Sequence, residues 1–206
     1  MKFSASQFDK VIDRTQTWTI KWDPDFMRER FNRTDLLPFN HAELDFECPQ
    51  PVIDAIRKRA DHGIYGYTLV KDEYYESVIN WFQKRYNVIY KREDMQFGTG
   101  IIHSYRQIIN HFTSPGDEIL VFTPIYRPFF EGVEDYRRKL ITNSLYFDGL
   151  KYYIDFELLE KTLDNHPIKL LAFCNPHNPV GRVWTKNELQ KLGDLCISHN
   201  ILIVSD

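Results

Sequence analysis

Apolar residues recur along this chain in two rhythms. From Lys71 to Tyr86, KDEYYESVINWFQKRY sets Tyr74, Tyr75, Val78, Ile79, Trp81 and Phe82 at helical spacing, with acidic residues early and basic residues late, which predicts an amphipathic helix. The second rhythm is the short unbroken apolar run. ILVFTP, IKLLAFCNP and ILIVSD read as buried strands, RKLITNSL as another, and MQF as a short strand entering the glycine turn GTG.

Helical segments lie between these runs. One begins after Asp23-Pro24 and covers Asp25 to Phe31; CPQPVIDAIRKRADHG is a second, with prolines at its entrance and Gly63 as its stop. IHSYRQIINHFTSPGDE ends at Pro115-Gly116, YRPFFEGVEDY follows, DFELLEKTLDNH opens at Asp155, and TKNELQKLGDLCISHN is capped by Thr185 with Glu188 three residues on. IYGYT is a loop. Apolar strands alternating with amphipathic helices predict an α/β protein with a largely parallel sheet covered on both faces. The stretch before Cys48 is aromatic-rich and irregular, an arm rather than a core.

Composition narrows the classes without changing this outline. The 206 residues are 43% hydrophobic, 27% charged and 15% aromatic, the balance of a folded chain. A net charge of -3 with interleaved signs, and only Arg137 to Lys139 as a basic cluster, gives no footprint for nucleic acid or an anionic membrane. Cys48, Cys174 and Cys196 are widely spaced and odd in number, against a disulfide framework or a zinc site. The start MKFSASQFDKVIDRTQTW lacks the apolar core of a signal peptide, so the expected location is the cytoplasm.

Four unusual stretches fall at the carboxyl ends of the strands, where ligands collect in such sheets. In FGTGIIHSY, a glycine turn entering a helix leaves N–H groups for a phosphate, although Gly98 and Gly100 also suit a plain tight turn. TPIYRPF holds Tyr126 between two prolines, as a flat face for a planar ring or as core packing at a helix start. NPHNPVGR fixes Asn178 where its amide can donate to a ring oxygen, with His177 beside it as an acid or base, or as a structural donor. Asp206 closes an apolar strand; it is expected to be buried and to pair with a cation such as a protonated ring nitrogen, or else to cap a helix. A phosphate seat, a stacking ring, an oxygen donor and a carboxylate together describe pyridoxal phosphate.

These residues resemble fold-type-I pyridoxal-phosphate enzymes of the class I/II aminotransferase group, and within it the cystathionine β-lyase-like C–S lyases of the MalY/PatB type. The resemblance runs through FDKVIDRTQTWTIKWD, AELDFECPQPVIDAI, HGIYGYT, GTGII, SPGDEILVFTPIYRPF, NPHNPVGRVWTKNEL and HNILIVSD. It implies an aspartate-aminotransferase-like fold, with residues 1–50 as an arm and the start of a small domain and 51–206 as part of a large cofactor-binding domain. It places the amides of Gly100, Ile101 and Ile102 on the phosphate, Tyr126 on the ring, Asn178 on O3′ and Asp206 on N1. Tyr67 would reach the phosphate of a neighbouring subunit's cofactor, which implies a homodimer, and Glu43 to Phe46 would line the substrate side. The chain has HAELDF where the family often shows Ala-Asp-Met-Asp-Phe, and His103 and Ser104 where it shows small residues or proline.

The implied activity is cleavage of cystathionine-type thioethers to thiol, pyruvate and ammonia; the same residues also suit an aminotransferase. The resemblance puts the lysine that attaches the cofactor, and an arginine for the substrate carboxylate, beyond the position of Asp206. No lysine here sits in a matching context. The expectation is therefore a chain lacking its C-terminal part and, alone, catalytically incompetent.

Overall fold

Three helix starts in this protein are set by side-chain caps. A computed structural model describes residues 8–206; the first seven positions of the expected arm lie outside the described residues. Asp23 accepts the Phe26 N–H at 2.7 Å to open α1 (Pro24–Phe31). Asp155 accepts from Leu158 at 3.0 Å to open α6 (Phe156–Asn165). Thr185 and Glu188 form a reciprocal capping box at α7 (Lys186–Ser198). Each satisfies donors that have no partner inside the helix, which is why these starts lie where the sequence puts them. α2 (Gln50–Asp61) begins on a proline in its first turn and stops before Gly63, whose φ of +70° suits glycine. α3 spans Asp72–Tyr86, α4 Ile101–Phe112 and α5 Pro128–Glu134.

Two compact units divide the chain, one up to Leu69 and one from Val70. In the first, a charge cluster ties residues 14–22 to the loop around Glu43 and Asp45. Asp45 accepts from Lys21 at 2.6 Å, and from Arg14 and the Trp22 indole at 2.7 Å each. Glu43 takes a second Arg14 nitrogen at 3.1 Å and the Thr19 hydroxyl at 2.5 Å. The Lys21 and Trp22 donors hold the Asp45 carboxyl down at about 2. Because its pKa is lowered on folding, its contribution is fully present above the ordinary carboxylate range, near pH 4, and is lost as pH falls through about 2. Trp22 fluorescence in an acid titration is expected to stay constant from pH 7 to about 3 and to change with a midpoint near 2. Lys21→Met should move that midpoint up toward the ordinary range.

The second unit is built on a parallel sheet of β1 (Glu118–Thr123), β2 (Lys139–Ser144), β5 (Ile168–Phe173) and β6 (Leu202–Ser205), in the order β2-β1-β5-β6. β3 (Tyr146–Phe147) and β4 (Tyr152–Tyr153) make a small antiparallel hairpin that the sequence reading did not anticipate. The central strands are buried on both faces. Ile119 and Val121 of β1 and Leu170 and Ala172 of β5 pack with Tyr105, Ile109, Phe129 and Val133 of α4 and α5. Leu120, Phe122, Leu171 and Phe173 point the other way, to Leu159, Leu163, Leu192 and Cys196 of α6 and α7. Two-sided burial is the reason these strands read as continuous apolar runs.

Close packing joins α4 to α5 at Gly132, where a Cβ would come within 2.6 Å of the Tyr105 ring. Tyr105 donates its hydroxyl to the Phe129 carbonyl at 3.0 Å. At the other end of α4, the buried Arg138 guanidinium donates to the Thr113 hydroxyl at 2.8 Å, to the Tyr136 carbonyl at 2.6 Å and to the carbonyls of Asn110 and Thr113. A cation there satisfies the last carbonyls of the helix and complements its dipole.

One expected strand is corrected. Met95 to Phe97 follow a 3-10 turn at Arg92–Asp94 and have no sheet neighbour among the described residues. The Phe97 ring instead packs edge-on against Tyr74 of α3 at 5.8 Å.

Candidate functional site

The strand order places a switch point between β1 and β5. From β1 the chain leaves through α5 toward β2, and from β5 it leaves through α7 toward β6 on the opposite side. The loops that follow β1 and β5 therefore diverge over a crevice, the usual ligand position in such sheets. Those loops are TPIYRP and CNPHNPVG.

The two loops are bonded to each other. The Tyr126 N–H donates to the Asn178 carbonyl at 3.0 Å, and His177 Nε2 lies 3.0 Å from the Pro124 carbonyl. The Tyr126 side chain is left 46% exposed while its backbone is fixed, so a ring face is presented on a held support. Asn178 is likewise exposed at its side chain and held at its backbone, its N–H donating to the Cys174 Sγ at 3.3 Å. The Cys174 thiol in turn donates to the Pro176 carbonyl at 3.2 Å, and the Trp184 indole closes the turn on the Cys174 carbonyl at 3.1 Å. Burial pushes the Cys174 thiol up, helped by the nearby Asp206 charge and opposed by the Asn178 N–H. It is a packed hydrogen-bonding group rather than a thiolate.

His177 is 1% exposed, with its ring edge-on to Trp184 at 5.7 Å. Burial lowers its pKa, with a smaller opposing effect from the Pro124 carbonyl. Of the two roles open to it, the surroundings suit a structural donor, since the ring sits under the loops and not on their exposed face.

At the start of α4, Gly100 is the N-cap and provides no side-chain bond; the first intrahelical bond runs from the Ser104 N–H to its carbonyl at 2.9 Å. The amides of Ile101, Ile102 and His103 have no acceptor among the described residues. An uncapped helix start is an anion seat in its own right. Gly98 lies close under Ser104, so that a Cβ there would make the Ser104 hydroxyl rotate away. The contact of Tyr105 with Phe129, one turn into α4 and just past Tyr126, puts this seat at the same end of the sheet as the two loops.

Asp206 needs a correction. It was expected to be buried, but it is exposed, because β6 pairs with β5 on one side only and Leu202 and Ile203 are themselves about 40% exposed. Its backbone is nonetheless fixed: the Asn175 N–H donates to its carbonyl at 2.8 Å, and its own N–H to Phe173 at 3.0 Å. The carboxylate thus sits beside the CNPHNPVG loop. The second unit therefore brings Gly100, Ile101, Ile102, Tyr126, Asn178 and Asp206 to one end of its sheet. Tyr67 belongs to the first unit, where it is fully exposed. Among the described residues no cluster of three or more His, Cys, Asp or Glu is arranged for a metal, and no helix is long and apolar enough to cross a membrane.

Sequence reasoning missed the parts played by Cys174 and by the Pro124 carbonyl. The only signal available was position: both lie directly beside residues already singled out.

Known proteins are similar to this chain in sequence and fold. The chain is 39% identical over 199 residues to cystathionine beta-lyase PatB of Bacillus subtilis, covering 97% of this chain and 51% of that protein. It is 31% identical to protein MalY of Escherichia coli, with the same coverage of both chains. Among solved structures, the PLP-bound C-S lyase from Staphylococcus hominis superimposes with a TM-score of 0.87 at 31% identity, covering all of this chain and 51% of that one. The chain thus spans about half the length of the curated relatives it matches. The model for aminotransferase class I and II matches residues 34–206, and with a parallel sheet, a switch-point crevice and an uncapped helix beside it, this chain belongs to the aminotransferase class I and II family.

Proposed function

We propose that this chain carries the cofactor-binding portion of a pyridoxal-phosphate-dependent C–S β-lyase that cleaves cystathionine-type thioethers to thiol, pyruvate and ammonia. The observation that carries the reading is the bonded pair of loops at the switch point, which holds a ring face and an amide donor side by side, next to an uncapped helix start. Donor chemistry fits the cofactor at each point. Three free amides at the start of α4 suit a phosphate, the half-exposed Tyr126 suits an aromatic ring, the Asn178 amide suits a phenolic oxygen, and the Asp206 carboxylate suits a protonated ring nitrogen.

When bound, pyridoxal phosphate supplies an electron sink for the pair of electrons left at the substrate α-carbon. The residues of this chain do the rest of the placing. The amides of Gly100, Ile101 and Ile102 fix the anionic end, and Tyr126 sets the tilt of the ring by offset stacking. Asn178 orients the phenolic oxygen, and Asp206 keeps a proton on the ring nitrogen by opposing its charge. The similarity to PatB and to the Staphylococcus hominis C-S lyase favours elimination. The second reading, an aminotransferase, is favoured by the breadth of the matching family. In the same proposal residues 1–50 form the arm and the start of the small domain and 51–206 the large-domain portion, the protein works as a cytoplasmic homodimer, and Tyr67 reaches the cofactor of the neighbouring subunit.

Cystathionine incubated with the cofactor-loaded chain joined to the C-terminal part that would carry the cofactor lysine separates the readings, since this chain alone is expected to release neither product. Pyruvate and thiol released without an added keto acid support the lyase; an amino-group product that appears only with a keto acid supports the aminotransferase, and neither product overturns both. Tyr126→Ala is expected to weaken pyridoxal-phosphate binding about tenfold, the stacking contribution of one aromatic ring, whereas Tyr126→Phe stays within about twofold. Titration of the cofactor absorbance band measures both.

A further inference from the structure

The proposed site leaves unexplained a histidine with no access to it. His177 is buried to 1% exposure inside a loop whose other members, Asn178, Pro179 and Gly181, are exposed. Its N–H donates to the Arg182 carbonyl at 2.7 Å and its carbonyl accepts from Gly181 at 2.8 Å, so the backbone is closed into a tight turn around it. Trp184 fixes the ring from the side, its own N–H donating to Asn175 Oδ1 at 3.2 Å.

A carbonyl only accepts, so Nε2, facing Pro124 at 3.0 Å, must carry the ring proton. Nδ1 is then a bare acceptor, buried and without a partner among the described residues. The hydrogen bond of the ring is therefore the one from Nε2–H to the Pro124 carbonyl. That bond crosses from the loop after β5 to the loop after β1, two residues before Tyr126, and runs beside the Tyr126 to Asn178 backbone bond.

We propose that His177 is a positioning residue that couples Tyr126 to Asn178: by clamping the Pro124 carbonyl from beneath, it keeps the ring face and the amide donor at a fixed separation. This rests on the cofactor reading above for its functional consequence, but its structural content is independent of any ligand. Without the Nε2–H donor, the β1 loop is held to the β5 loop by a single backbone bond, and that bond should open more often.

The test compares the wild-type chain with His177→Leu, which fills the volume without a donor, and His177→Gln, whose amide nitrogen replaces Nε2–H. Site-resolved amide exchange is read at Tyr126, with Val121 and Leu171 as core controls, and pyridoxal-phosphate affinity is read by absorbance. In His177→Leu, exchange at Tyr126 is expected to be about tenfold faster and cofactor affinity about tenfold weaker, the net effect of one hydrogen bond, with the core amides unchanged. His177→Gln should return both to within about threefold of wild type. Unchanged exchange at Tyr126 in the leucine variant overturns the proposal. So does equal loosening of Val121 and Leu171, which marks His177 as ordinary filling, or a failure of glutamine to rescue. If the wild-type chain takes up no pyridoxal phosphate, the cofactor reading of this chain fails, and the exchange arm still decides whether His177 clamps the loops.

Discussion

Asp206→Asn, made in the chain joined to its lysine-bearing C-terminal part and loaded with cofactor, is expected to lower the rate of pyruvate release from cystathionine by about a hundredfold or more, the scale of losing one charge aimed at a developing charge. Asparagine keeps the shape and the backbone bonds to Phe173 and Asn175, so loop geometry is preserved while the negative charge is removed. What is lost is the partner of a protonated ring nitrogen, and with it the pull on electrons at the substrate α-carbon. Cofactor affinity should fall much less, because the amides of α4, Tyr126 and Asn178 are untouched. Coupled pyruvate detection gives the rate and an absorbance titration gives the affinity. A rate within about threefold of wild type would remove Asp206 from the mechanism.

Arg138→Met is expected to cost the second unit about 2–3 kcal/mol, the range for removing a buried charged donor and leaving its neutral acceptors unpaired. The guanidinium is buried and its partners are a hydroxyl and carbonyls, with no carboxylate among them. Methionine fills much of the volume but leaves the carbonyls of Asn110, Thr113 and Tyr136 without this donor at the end of α4. Urea unfolding should show a lower midpoint at an unchanged slope. Arg138→Lys should recover only part of the loss, since one ammonium does not reproduce a planar fork that bonds four groups. A shift under about 1 kcal/mol would mean that the helix end is satisfied by other means.

What was legible in the sequence was local. Asp23, Asp155 and the Thr185–Glu188 pair cap their helices through bonds spanning three residues, so residue type and spacing determine the outcome. β1 and β5 were legible because two-sided burial demands unbroken apolar runs. Elements depending on partners distant in sequence were not. MQF has the composition of a strand but finds Tyr74 instead of a sheet neighbour. Asp206 follows an apolar strand that, among the described residues, is paired on one side only, so apolar composition did not reveal its exposure here. Arg137 to Lys139 read as a short basic cluster, but Arg138 turns inward to α4 while Arg137 and Lys139 stay at the surface. The candidate site was legible as a set of motifs at strand ends. Its internal wiring was not: the His177 to Pro124 bond joins segments about fifty residues apart, and the bonds of the Cys174 thiol, though local, depend on a turn geometry that residue type does not reveal.

The anchoring of α4 has a mechanical consequence. At 1.5 Å per residue this twelve-residue helix is about 18 Å long, gripped at its far end by Arg138 and free of any side-chain cap at its near end. Tyr105, one turn from the near end, ties the helix to α5, so any tilt about the Arg138 end works against that buried contact. A tilt of about five degrees about Arg138 would carry the amides of Ile101 and Ile102 roughly 1.5 Å sideways, half the length of a hydrogen bond. Tolerances at the anion seat therefore depend on contacts along the whole of α4, and substitutions around Thr113 and Arg138 should register as changes in phosphate grip as well as in stability.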